Sequence, residues 1–201
     1  MHAQGPIRSA LRWSTLSVVW TVTASSGAVG VGLRTHDLSL VAFGLVGGLD
    51  AVGSLALVGH FRHAARHDVV SPGRDRVVLW VIATGMVVTA AVTGSIAVSR
   101  LFHHRAAAED LAGVYIAVPS VVVLGVLGAG KVRVGRQIPS RALETDGLVS
   151  SVGAVFASIA LVGIGANVLV GWWWFDAVGT IVIGIGAVGL AVTALRHPPV
   201  V

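Results

Sequence analysis

The stretch that decides the fold is SRALETDGLVSSVGAVFASIALVG, residues 140–163. It begins with a polar segment and continues into an apolar run about as long as a bilayer is thick. Small residues recur along the run at helical spacing, and such residues let two helices approach closely in lipid. Asp146 lies where the apolar run begins, and a carboxylate there is costly unless it is paired or hydrated. This stretch therefore predicts a tightly packed membrane-spanning helix with one candidate functional residue.

A second apolar run, VAFGLVGGLDAVGSLALVG at residues 41–59, also carries a single carboxylate, Asp50. Ser54 follows Asp50 by one helical turn on the same face. An ionisable group in the middle of a span is by default a functional-site hypothesis, and the alternative is a structural carboxylate bonded to a neighbouring helix. For Asp146 the alternative is a role at a helix N-terminus, where unpaired N–H groups favour negative charge.

The composition predicts an all-α membrane protein with six transmembrane helices. Of the 201 residues, 55% are hydrophobic and 11% are charged, whereas soluble domains carry about 25% charged residues. Six apolar runs have spanning length, at residues 13–33, 38–61, 77–99, 111–130, 147–170 and 173–195. We therefore expect residues 1–201 to form one transmembrane domain, without a soluble C-terminal domain, in the lipid bilayer of the cell membrane.

The basic residues predict the orientation of the chain. Eleven of the 14 Lys and Arg residues fall before the first run, in the segments 62–76 and 131–141, or after the last run. The excess of Lys and Arg marks cytoplasmic segments, so both termini are expected inside the cell. Nothing in this distribution tracks a phosphate backbone, and nucleic acid is not an expected partner. Absent cysteine excludes thiol chemistry, and the spans show no nucleophile–base pair, so no enzyme is predicted.

Two apparent nucleotide motifs are explained by helix packing. Gly184-x-Gly186-x-x-Gly189 matches a dinucleotide fingerprint, and Gly125 to Lys131 nearly matches a phosphate-binding loop. Both mechanisms require a strand before the loop and a helix N-terminus at the phosphate. Because these glycines lie in or end apolar spans, no nucleotide and no cofactor is expected.

His60, His63 and His67 recur on one face of the second predicted helix. Imidazoles at this spacing can share a divalent metal ion. Neighbouring Arg62, Arg66 and Arg74 would repel a cation, so an interfacial helix end is the favoured interpretation.

The second, fifth and sixth runs together resemble the cation diffusion facilitators. The resemblance is carried by AFGLVGGLDAVGSLALVGHFRHAA (42–65), by residues 140–163, and by GWWWFDAVGTIVIGIGAVGLAV (171–192). It implies a six-helix transporter that exports zinc or a related divalent ion, usually as a dimer and in exchange for protons. The pattern is nearest to the synaptic-vesicle zinc-transporter branch of this family.

The resemblance also assigns positions to the metal ligands. Asp50 matches the second carboxylate of span 2, while Val46 stands at the first. The residue pair that precedes the span-5 ligands in the family corresponds here to Thr145-Asp146. The two span-5 ligand positions are occupied by Val149 and Gly153.

The predicted function is secondary transport of a divalent cation, coupled to protons. Zinc needs about four ligands to replace its hydration shell. Asp50 and Asp146 can supply two if spans 2 and 5 pack together, with Ser54, Ser150 or water completing the set. Such an oxygen-rich site suits a harder or more weakly bound cation. The alternative is a non-transporting structural or regulatory membrane protein. The sequence leaves a homodimer open.

Overall fold

The computed structural model describes residues 4–35, 38–67, 72–103, 111–138 and 140–196. Nearly all of them are helical, and these ranges contain no strand, which confirms the all-α prediction. The helices are α1 (Gln4–Thr35), α2 (Leu38–His67), α3 (Pro72–Phe102), α4 (Leu111–Gln137), α5 (Arg141–Val170) and α6 (Phe175–Arg196).

The helices form a ring in which α5 reaches across the centre. In order around the ring, α1 packs on α2, α2 on α3, α3 on α6, α6 on α5, α5 on α4, and α4 on α1. In addition, α5 contacts both α3 and α2. The contact between α2 and α5 is the one on which the predicted site depends.

Small residues allow the closest helix approaches. A Cβ on Gly128 of α4 would lie 2.8 Å from the carbonyl oxygen of Gly147 on α5, and a Cβ on Gly147 would lie 2.9 Å from that of Gly128. The backbones of α4 and α5 therefore touch where the sequence predicted close packing. On α2, Gly44 packs against the Ser25 backbone of α1, whereas Gly48 faces open space.

Four helices are long and apolar enough to cross a membrane. Within the described residues these segments are Pro72–Phe102, Val114–Gln137, Arg141–Ile159 and Ala177–Arg196. Only 17% of the apolar window in α6 is buried inside the bundle. Its outward face carries Val182 and Ile185, which are 62% and 69% exposed. A surface of this kind is typical of a protein embedded in lipid.

The ends of α4 and α5 correct the sequence analysis. The predicted fourth span ended at residue 130 and placed Lys131 in a loop, which is wrong. The helix continues to Gln137, because nothing breaks it before the proline at position 139. Similarly, α5 begins at Arg141 and not at residue 147, since Ser140 accepts a hydrogen bond from the Leu143 N–H as an N-cap. Hydropathy marked where the apolar run stopped, which is not where the helix stops.

Candidate functional site

A buried lysine occupies the centre of the bundle. The side chain of Lys131 is fully buried, and its ammonium nitrogen contacts four oxygen atoms. Nζ lies 2.5 Å from Asp146 Oδ2, 2.6 Å from Ser17 Oγ, 3.1 Å from Ser150 Oγ and 3.2 Å from Ser54 Oγ. We call Ser17, Ser54, Asp146 and Ser150 the central oxygen cage.

The cage is assembled from three helices and filled from a fourth. Ser17 lies on α1, Ser54 on α2, and Asp146 and Ser150 one turn apart on α5, while the lysine comes from α4. The Ser54 hydroxyl lies 3.1 and 3.2 Å from the two carboxylate oxygens of Asp146 and 3.3 Å from Ser17 Oγ. These contacts link α1, α2, α4 and α5 through one polar centre.

The ion pair with Lys131 neutralises the buried carboxylate of Asp146. Asp146 is 1% exposed, and an isolated carboxylate is expensive in a low-dielectric interior. A primary ammonium has three N–H donors and no acceptor, so four surrounding oxygens satisfy it completely. The geometry is that of a small cation in an oxygen cage, with the cation supplied by the chain.

Asp50 adds a second carboxylate beside the cage. It lies one turn before Ser54 on α2 and interacts electrostatically with both Asp146 and Lys131. Unlike Asp146, it is only partly buried. Two carboxyl groups, Asp50 and Asp146, therefore lie near one ammonium.

Of the four residues that the sequence proposed, Ser54, Asp146 and Ser150 meet at the Lys131 ammonium, and Asp50 lies one turn before Ser54 on α2. The sequence analysis missed Lys131 and Ser17. The signal for Ser17 was present, because buried hydroxyls recur along α1 at positions i, i+3, i+7 and i+11: Ser14, Ser17, Thr21 and Ser25. We call these four residues the α1 hydroxyl stripe.

The α1 hydroxyl stripe extends along the inner face of the bundle for about 16 Å, at 1.5 Å per residue. Gly47 of α2 packs directly against Thr21 and Ser25, which places this part of the stripe next to the turn that carries Asp50. The hydroxyls of Ser14 and Thr21 are buried and find no hydrogen-bond partner among the described residues. Buried polar atoms are normally satisfied by protein or ordered water.

A second buried carboxylate, Asp75, belongs to the first turn of α3 and packs against the N-terminus of α5. Its Oδ1 accepts a 2.5 Å hydrogen bond from the Ser140 hydroxyl, and its Oδ2 accepts one of 3.2 Å from the Ala142 N–H. His60 Nε2 is 3.6 Å from Asp75 Oδ1. Asp75 thus caps α5 from a neighbouring helix, and we call Asp75, Ser140 and His60 the α5-capping site.

The histidine face does not form a metal site in the described residues. His60 is 5% exposed and points toward Asp75, with neither ring nitrogen hydrogen-bonded within the described ranges. His63 is partly buried, and the side chain of His67 lies outside the described residues. Where the structure describes the chain, no three His, Asp or Glu side chains are arranged to hold a metal ion.

The two span-5 ligand positions implied by the family resemblance do not face the cage. A Cβ on Gly153 would lie 3.2 Å from Leu124 of α4, and Val149 packs against the hydrophobic core. The side chain of Val46 lies outside the described residues. No family model matches this sequence. The resemblance to cation diffusion facilitators therefore rests on the quoted sequence motifs.

Proposed function

We propose that this protein is a secondary carrier for a divalent, zinc-like cation, exchanged for protons across the membrane. One observation carries the proposal: four oxygens from three helices already surround a cation, the Lys131 ammonium, beside a second carboxylate at Asp50. The substrate ion takes the place of the ammonium and is bound by Asp50, Asp146 and the serine hydroxyls.

The donor set fits an ion that is bound weakly enough to be released. Two carboxylates balance a divalent charge, and the hydroxyls of Ser54 and Ser150 add neutral oxygens. Tight zinc sites use histidine and cysteine, and neither residue type lies in the cage. A carrier needs this moderate affinity, because the ion must leave on the opposite side.

The α1 hydroxyl stripe supplies a polar route to the site. A buried hydroxyl without a hydrogen-bond partner costs about 1–3 kcal/mol, and water satisfies such groups where there is room. Thr21 and Ser25 pack against Gly47, which lies one turn before Asp50 on α2, and Ser14 lies one turn before Ser17 on α1. A hydrated stripe would lead an ion to Asp50 from one end of the bundle and away past Ser14 at the other.

We further propose that all six helices span the cell membrane, with both termini in the cytoplasm. Basic residues concentrate at the ends that this arrangement places inside. The natural sequence has no cysteine, so a single introduced cysteine is the only labelling site. An impermeant maleimide added to whole cells should label Arg105→Cys and not Arg74→Cys. The opposite pattern would invert the orientation and the direction of efflux.

Transport is tested in proteoliposomes that contain a zinc-sensitive dye and have an imposed pH gradient. The wild type should admit Zn²⁺ and dissipate the gradient, and Asp50→Asn should fold but move no ion, because the second carboxylate that balances the charge of the divalent ion is gone. Glu144→Gln is the matched control, since it removes a carboxylate of the same helix bundle that lies outside the cage. Its flux should equal that of the wild type.

The rival function is a non-transporting structural or regulatory membrane protein. It is favoured by the complete hydrogen bonding of Lys131, which ties four helices together. Under this alternative the wild type moves no divalent ion, and Asp50→Asn changes thermal stability without any effect on flux. The same proteoliposome experiment, combined with a thermal unfolding curve for each variant, separates the two functions.

A further inference from the structure

We infer that Lys131 is a tethered competitor of the transported cation: its ammonium fills the central oxygen cage whenever no ion is bound. This inference rests on the proposed carrier function and deepens it. Lys131 would act as a positioning residue that sets apparent affinity and allows the ion-free carrier to return across the membrane.

The contacts show that the lysine fills the cage completely. Its nitrogen lies within 3.2 Å of an oxygen atom of every cage residue, and the shortest distance is 2.5 Å to Asp146. An incoming cation cannot reach Asp146 Oδ2 while the ammonium is there, because the two positive centres would share the same oxygens. Occupancy by the lysine and by the ion is therefore mutually exclusive.

The lysine can leave without unfolding the helix that carries it. Lysine has a flexible four-carbon stem, and its backbone is held in the middle of the last turns of α4 by neighbours that do not involve the ammonium. Gly130 packs under Trp13, and Val134 belongs to the hydrophobic core. In the proposed exchange, rotation of the stem moves the charge out of the cage while these contacts hold α4 in place.

The charge balance explains why a carrier would keep such a lysine. Without an ion, Asp146 would be an unpaired carboxylate in the centre of the bundle, and moving it through lipid is costly. Lys131 neutralises it in that state. When the ion binds, it takes over the neutralising role and the lysine is released. Both the loaded and the ion-free cage are thus free of an unpaired Asp146.

The competition lowers the apparent affinity for the ion. A site that is competent in only a fraction of molecules shows an apparent dissociation constant equal to the intrinsic one divided by that fraction. Lys131→Met removes the competing charge and keeps an unbranched side chain of similar length. Calorimetric titration of the purified protein with ZnCl₂ should give a dissociation constant at least about tenfold lower than that of the wild type.

Two transport modes provide a second readout. In Lys131→Met, exchange of ⁶⁵Zn²⁺ against unlabelled Zn²⁺ should continue, because only the loaded carrier moves. Net uptake into zinc-free liposomes should fall at least about tenfold, because the ion-free carrier must cross with Asp146 unpaired.

Lys131→Gln is a second variant without charge that retains polar contacts to the serines. Arg133→Met is the matched control, on an exposed position two residues away, and should leave binding and both transport modes unchanged.

The outcomes separate the two proposals. If the wild type moves Zn²⁺ but neither lysine variant binds it more tightly or loses net uptake selectively, the tether is overturned and the carrier stands. If wild type and variants neither bind nor move Zn²⁺, the carrier fails and the tether falls with it. If both variants stay unfolded at saturating Zn²⁺, an ion cannot replace the ammonium, and the tether is again overturned.

Discussion

Asp146 and Asp75 are both buried in this bundle, and their carboxyl groups are stabilised in different ways. Asp146, in the central oxygen cage, is paired with the ammonium of a long flexible side chain. Asp75, in the α5-capping site, accepts hydrogen bonds from a serine hydroxyl and from a backbone N–H of α5. The partner of Asp146 can move away, whereas the partners of Asp75 are fixed by the helix that they begin.

The two carboxylates therefore differ in how firmly their partners are held: the partner of Asp146 is a flexible side chain, and one partner of Asp75 is a backbone N–H of α5. A helix N-terminus offers N–H groups that cannot follow an anion out of place, so Asp75 fastens α3 to α5. An ammonium on a stem offers the same neutralisation without fixing the geometry. In the proposed transport cycle, Asp146 would change its partner and Asp75 would keep its own.

The largest expected effect follows from breaking the Asp146 ion pair. Asp146→Asn removes the only carboxylate that directly contacts the buried Lys131 ammonium among the described residues, which should lower the free energy of unfolding by about 3–5 kcal/mol. Denaturant unfolding in detergent, followed by circular dichroism, measures this loss. The double variant Lys131→Met/Asp146→Leu should recover most of it, because neither member of the ion pair remains. A loss below about 1 kcal/mol in the single variant would mean that the pair is not buried as described.

Asp75→Asn should cost less, because an amide oxygen still accepts one of the two hydrogen bonds and no cation is left behind. We expect a loss of about 1–3 kcal/mol in the same unfolding experiment. Zinc flux measured in parallel should remain near the wild-type value after correction for folded protein. A loss equal to that of Asp146→Asn would remove the distinction between the two carboxylates.

Ser140→Ala isolates the helix cap from the charge of Asp75. Removal of an N-cap hydroxyl typically costs about 1 kcal/mol, and here Asp75 also loses one donor. Ser151→Ala on the same helix is the control, since its hydroxyl donates only to the Gly147 carbonyl one turn earlier. The two thermal midpoints should differ, and equal midpoints would show that Ser140 does not cap α5.

The smallest effect is expected at a third carboxylate, Glu144, which pairs with Arg136 at 3.4 Å near the protein surface. The Arg136 side chain is 69% exposed, so solvent screens the interaction. Arg136→Gln should change the free energy of unfolding by less than about 0.5 kcal/mol. High salt should abolish even this difference. A larger, salt-independent loss would mean that burial is not what distinguishes the three carboxylates.

Much of the fold and half of the central site could be predicted from the sequence. The periodicity and length of the apolar runs predicted the helices, and the rarity of carboxylates in such runs identified Asp50 and Asp146. Lys131 was missed because a basic residue just beyond an apolar run has the same sequence signature whether it starts a loop or turns inward. Asp75 was hidden among basic residues for a similar reason. The packing of α4 on α5 places Lys131 beside Asp146, and the packing of α3 on the start of α5 places Asp75 beside Ala142.

The packing of Trp13 on Gly130 has an optical consequence. A Cβ at Gly130 would lie 2.6 Å from indole Cε2, so the ring covers the backbone immediately before Lys131. Trp13 also precedes Ser17, a cage oxygen donor, by one turn of α1. The chain thus carries a native chromophore against the segment that holds the ammonium. A shift of that segment relative to α1 changes the surroundings of the indole and therefore its emission.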